Sequence, residues 1–109
     1  MLVCAAEPFL NGTVTGPALN GTIRGGVAYP EIYNATGVEF STANVWGTTS
    51  DGTSFAVQES GVGTTTRQIS RLTVNIGGNY SKLATTFILG DVVGNVTDGT
   101  VLIKAYAIW

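Results

Sequence analysis

The last ten residues, Thr100-Val101-Leu102-Ile103-Lys104-Ala105-Tyr106-Ala107-Ile108-Trp109, carry apolar side chains on both alternating faces of an extended chain. Val101, Ile103, Ala105, Ala107 and Trp109 point one way, and Leu102, Tyr106 and Ile108 the other. A run of this kind is expected at the centre of a sheet, covered on both sides, which makes the chain end part of the core. Asp98-Gly99 stands just before it, and that dipeptide favours a tight hairpin turn. The apolar segment from Phe87 to Val96 is therefore expected to pair antiparallel with the last strand.

Similar punctuation recurs along the chain. Leu10-Asn11-Gly12-Thr13-Val14-Thr15-Gly16 returns nine residues later as Leu19-Asn20-Gly21-Thr22-Ile23-Arg24-Gly25, with five of seven positions identical. Each copy is a turn dipeptide followed by a β-branched stretch, and together they predict a hairpin-like element at a sheet edge. Val38, Phe40 and Thr42 alternate with Glu39, Ser41 and Ala43, as in a half-buried strand. Ser50-Asp51-Gly52-Thr53 is a second Asp-Gly turn, between Asn44–Trp46 and the pair Phe55, Val57. Glu59 to Thr65, with two glycines, reads as a loop. Leu72, Val74 and Ile76 share one face of a strand, with Arg67, Ile69, Arg71 and Thr73 on the other. Ser81 could cap a helix from Lys82, but Thr85-Thr86-Phe87-Ile88-Leu89 suits a pleated surface better, so Lys82–Leu89 is read as a strand. The sum is seven or eight short strands: an all-β, single-domain antiparallel β-sandwich or jelly roll over residues 1–109. Residues 1–8 carry two readings, a first strand of the domain's own sheet or an N-terminal arm on a neighbouring subunit.

Surface chemistry narrows the function. Charged residues make up 11% of the chain, against about 25% in soluble domains, and 16 Thr, 6 Ser and 15 Gly stand in their place. An exterior so poor in charge tends to associate. Copies of the chain and another structural protein of the same assembly are the expected partners. Five basic residues against seven acids leave no footprint for nucleic acid. No apolar run reaches membrane-span length, and Met1–Ala6 is too short for a signal peptide before Glu7-Pro8, so the chain is expected to be cytosolically made or already trimmed. A single cysteine, Cys4, cannot form an internal disulfide, although it could cross-link subunits.

Catalytic constellations are scarce. Without histidine there is no Ser-His-Asp or Cys-His arrangement and no thiol-imidazole metal site. Folding could bring Glu31, Glu39 or Glu59 together as paired carboxylates for glycoside chemistry. Gly25-Gly26 and Gly77-Gly78 read as turn glycines, and Asp91, Asn95 and Asp98 as turn formers more than calcium ligands. Tyr29, Tyr33, Trp46 and Tyr80 read first as core rings and second as a sugar-stacking platform. Neither a catalytic residue nor a cofactor or metal site is assigned.

Asn11, Asn20, Asn34, Asn79 and Asn95 lie in Asn-X-Ser/Thr sequons and are glycosylation candidates. Arg67 and Arg71 share one strand face, where they either pair with acids of an adjacent strand or contact another subunit. With Met1, Leu2, Val3 and Cys4 they form the predicted assembly contacts. The expected function is a non-enzymatic structural subunit of a virion, most simply a capsid-associated or decoration protein that binds its neighbours through sheet edges and apolar termini. The alternatives are a subunit of an extracellular, cell-surface filament joined by its N-terminal strand, and a carbohydrate-binding module.

Overall fold

The computed structural model describes residues 2–4, 7–9, 11–16, 18–33, 35–95 and 99–108. Nine strands follow one another: β1 (Leu2–Cys4), β2 (Glu7–Phe9), β3 (Gly12–Val14), β4 (Gly21–Tyr33), β5 (Val38–Thr49), β6 (Ser54–Gly63), β7 (Arg67–Ile76), β8 (Phe87–Asn95) and β9 (Thr100–Ile108). One 3₁₀ helix, Gly78–Thr85, interrupts the series before β8. Every pairing is antiparallel, in the order β1-β4-β5-β6-β7-β8-β9, with β2 and β3 also on the free side of β4. The three short pieces pair with β4 in one register and occupy one edge position, giving seven strand positions in a single sheet curled into a half-barrel.

The all-β, antiparallel, single-domain expectation holds. The strands lie in one curled sheet and not in two stacked layers because each hairpin returns beside its predecessor, with no long crossover to start a second layer. The echoed segments pair with each other as expected: Gly12, Thr13 and Val14 stand opposite Ile23, Thr22 and Gly21. The Asp51-Gly52 turn forms around a left-handed glycine, with φ of 90° at Gly52; Gly99, just before β9, has φ of 70°, and Asp98 lies outside the described residues.

Alternation assigns the faces. Residues 39, 41, 43, 47 and 49 of β5 are buried, and 40, 42, 44 and 46 are exposed. On β7, Gln68, Ser70, Leu72 and Val74 are buried. Apart from neighbouring strands, the element packed on the sheet is the 3₁₀ helix, through Leu83. Burial over so much of one face therefore comes from the curl itself, and that face is the inside. It accepts small side chains. A Cβ added at Gly47 would lie 2.1 Å from the Thr22 carbonyl oxygen, and one at Gly61 would lie 2.1 Å from Ser70 Oγ.

This crowding corrects several expectations. Glu59–Thr65 is strand through Gly63, because its glycines are the residues that let β6 approach β7. In β5 it is the polar and small set Glu39, Ser41 and Ala43 that lies inside, while Phe40 and Trp46 stand outside, 46% and 49% exposed. Tyr29 and Tyr33 are likewise exposed instead of core. Lys82–Thr85 belongs to the 3₁₀ helix, whose Thr85 and Thr86 hydroxyls donate back to the Lys82 carbonyl; the strand starts at Phe87.

The largest departure is at the chain end. β9 pairs with β8 in the expected hairpin, Phe87 opposite Ile108 through Asn95 opposite Thr100. It is nevertheless the sheet's last strand, and all its residues from Thr100 to Ile108 are exposed. Leu102 is 60% exposed and Tyr106 55%. The apolar cluster lies deeper in the sheet, on Leu72, Val74 and Ile88, with Val57, Ile76 and Leu83 packed against it.

Candidate functional site

Two features stand out: a polar cluster inside the curl and the bare strand β9. The inner face is divided along its strands. Leu72, Val74, Phe55 and Ile88 fill the end beneath the 3₁₀ helix, and the end beside the 35–37 and 64–66 turns holds Glu39, Ser41, Glu59, Gln68 and Ser70. Gln68 Nε2 donates to Glu39 Oε2 and, at 3.2 Å, to the Thr64 carbonyl. That fixes Gln68 Oε1 toward Ser41, whose hydroxyl lies 2.6 Å from it and 2.9 Å from Glu59 Oε1. The Ser70 hydroxyl donates to the same Glu59 oxygen at 2.6 Å. The single Ser41 proton thus has two acceptors within reach and serves one at a time.

Glu39 and Glu59 lie in this cluster, linked through Gln68 and Ser41, and Glu31 lies on the opposite face, so folding does not bring the three carboxylates together. The cluster is a closed set of hydroxyl, amide and carboxylate hydrogen bonds. It leaves little room for a reactant: a single carbon at Gly61 would lie 2.1 Å from Ser70 Oγ and 2.8 Å from Glu59 Oε1. Among the described residues no buried side-chain polar atom lacks a partner, and no cluster of metal-ligating side chains occurs. The cluster cross-links β5, β6 and β7 from within.

The predicted assembly residues divide. Leu2, Val3 and Cys4 pair with Tyr33, Ile32 and Glu31 of the chain's own β4, and Met1 lies outside the described residues. Arg67 forms a two-pronged contact with Asp91 of β8, Nε to Oδ1 at 3.1 Å and Nη2 to Oδ2 at 2.9 Å. This bond and the carboxylate charge raise the Arg67 pKa above its ordinary value. The Arg71 guanidinium sits 4.9 Å from the centre of the Phe87 ring. Both arginines are therefore engaged within the sheet. Of the sequon asparagines, Asn11, Asn20 and Asn79 are exposed, Asn95 closes β8, and Asn34 lies outside the described residues. Asp98 also falls outside them.

The exposed apolar residues form the second feature. On the outer face, Tyr29, Tyr33 and Phe40 border a depression of about 310 Å³, with Tyr33 and Phe40 edge-to-face at 5.8 Å. Farther along are Ile69, Phe87, Val93, Leu102, Tyr106 and Ile108, and on the inner face of β9 Val101 and Ile103 are 45% exposed. Sequence reasoning found the β9 residues but placed them in the core. It passed over Gln68 and Ser70, whose signal was polar residues at positions continuing the Leu72-Val74-Ile76 face.

No protein-family model matches the chain, and no curated protein matches it. Two solved structures share its fold. A protein of unknown function from Clostridium acetobutylicum superposes with a TM-score of 0.84 at 17% identity, over 97% of this chain and 81% of that one. An enzyme from Penicillium herquei superposes with a TM-score of 0.79 at 22% identity, over 98% of this chain and 77% of that one. At these identities the likeness is one of fold.

Proposed function

We propose that this chain is an assembly subunit, acting by having its last strand and outer face covered by neighbouring protein. The observation that carries this reading is β9, a nine-residue edge strand with apolar side chains exposed on both faces. Edge strands offer unpaired N–H and C=O groups to any extended chain, and soluble proteins usually blunt them with charges, bulges or proline. β9 holds only Lys104. The low charge of the chain adds to the case, because with 11% charged residues overall it has little to keep it apart from its neighbours. A virion shell is the setting proposed for such a subunit, and a surface filament is the alternative. Light scattering over a concentration series tests the reading. Mass should rise above that of one chain, and a strictly monomeric protein whose β9 amides exchange freely with solvent overturns it.

A second reading has its own observation. Tyr29, Tyr33 and Phe40, exposed around their depression beside Glu31, offer rings and a carboxylate to a carbohydrate. Sugar binding that is lost in Tyr29→Ala supports it, and silence on a glycan array removes it.

A further inference from the structure

We infer that β9 pairs with β9 of a second copy of this chain, antiparallel and centred on Ala105, so that two half-barrels join into one continuous sheet. The inference rests on the assembly reading above and names its partner. Three observations support it.

The first is geometric. Two identical strands pair antiparallel in one sheet through a two-fold axis perpendicular to that sheet, which keeps inner face beside inner face. The second copy then continues the curl in the same sense, and the two inner faces turn toward a shared interior. A single contact pairs the edge of β9 from Leu102 to Ile108 and brings protein beside Ile103, Ala105 and Ala107. This accounts for apolar residues on the inner face of a strand that its own sheet does not cover.

The second is register. Keeping like faces together places the axis on a residue and not between two. Centred on Lys104, the strand would set its one charge against its own copy, which is unfavourable. Centred on Ile103, it would set the apolar Leu102 against Lys104, the strand's one charge. Centred on Ala105, Leu102 meets Ile108, Ile103 meets Ala107, and Lys104 lies beside Tyr106, whose ring accepts both its stem and its charge. The smallest side chains then meet on the axis.

The third is area. The chain exposes 6922 Å² at a mass of 11.3 kDa, whereas a folded monomer of that mass exposes about 5,700 Å². The excess, about 1,200 Å² by that scaling, belongs to the open sheet as a whole, of which β9, exposed from Thr100 to Ile108, is one edge.

Cysteine cross-linking combined with light scattering decides the matter, using the full chain with Cys4→Ser. Residues directly opposite across antiparallel strands have Cα atoms about 4.5–5.5 Å apart, within reach of a disulfide. Ala105→Cys should therefore oxidise to a covalent dimer. Leu102→Cys should not, because its copy lies six residues away along the partner strand, about 20 Å. Cross-linking through position 102 in place of 105 overturns the register, and with it the inference. Association without either cross-link also overturns the inference, while the assembly reading stands because another segment covers β9. A monomer with neither cross-link overturns both.

Discussion

The two ends of this sheet differ in how they meet solvent. At one edge β1, β2 and β3 pair with β4 in a single register, Leu2 opposite Tyr33, Glu7 opposite Ala28 and Gly12 opposite Ile23. β2 carries Glu7 and Pro8, a charge and a proline of the kind that blunt an edge, since proline has no N–H to offer a further strand. Behind it, the pairing of β4 with β5 shifts register between Ile23 and Gly25. At the other edge β9 runs nine residues beside β8, with Lys104 as its one charge and no proline. One edge has devices that discourage a further strand, and the other lacks them. The same sheet thus has a terminated side and a side fit for extension.

If β9 is an appendage for contact and β7–β8 the end of the folding core, truncations on neighbouring strands should separate them. Ile88 of β8 is 7% exposed in the small cluster with Leu72 and Val74. Ile88→Ala should cost about 2–5 kcal/mol, the range for buried aliphatic truncations. Ile108→Ala, directly across from Phe87 but 47% exposed, should stay within about 0.5 kcal/mol, as surface changes do. Denaturant unfolding of both at low protein concentration makes the test. Equal losses would place β9 in the core and erase the contrast.

The next effect sharpens the account of how the other half of the sheet is held. Ser70 is 1% exposed and donates to Glu59 Oε1. Ser70→Ala removes a donor from a buried carboxylate oxygen and should destabilise by about 1–3 kcal/mol. Association through β9 should be unchanged in the same variant, as sedimentation equilibrium can check.

A direct comparison of the edges needs one charge on each. Ile103→Lys should weaken association at least tenfold, which corresponds to about 1.4 kcal/mol. Thr13→Lys, exposed on β3, should leave it unchanged. Matched concentration series in light scattering read both, and an equal effect would dissolve the distinction between the edges.

Much of this fold was legible in the residues. The Asp51-Gly52 turn, the echoed hairpin and the Leu72-Val74-Ile76 face needed only local chemistry and are found as read, whereas Gly12 and Gly21 of the two Asn-Gly pairs begin strands β3 and β4 instead of making turns. What failed was the inference from apolar to inside. Phe40 and Trp46 alternate with Glu39, Ser41, Ala43 and Gly47, and pattern alone assigns the rings to the core. The curl reverses this along β5, where a Cβ added at Gly47 would lie 2.1 Å from the Thr22 carbonyl oxygen; the inner face keeps its bulky side chains, Phe55, Leu72 and Ile88, on β6, β7 and β8. β9 failed for a related reason: apolar residues on both faces describe a strand that is covered, without saying whether its own chain or another covers it. The cluster of Glu39, Ser41, Glu59, Gln68 and Ser70 is drawn from three strands, so only the register among them could reveal it.

The smallest expected effect concerns the β5–β6 turn. Asp51 accepts hydrogen bonds from the Thr49 and Thr53 hydroxyls, the Thr53 amide, and Tyr80 Oη at 3.2 Å, which ties the turn to the 3₁₀ helix. Those bonds, that from Thr49 foremost, hold its carboxyl below the ordinary aspartate value of 3.8. A carboxylate whose pKa is lower folded than unfolded contributes stability above the unfolded value and loses it as pH falls through the folded one. Stability of the parent chain should therefore decline below about pH 4, and Asp51→Asn should flatten part of that decline. Residues 99–108 contain no carboxylate, so the association constant of Asp51→Asn should match that of the parent at every pH where both are folded. Thermal unfolding and light scattering on the same samples separate the two quantities. A substitution at this turn that changed association would mean that the turn, and not β9 alone, meets the neighbour.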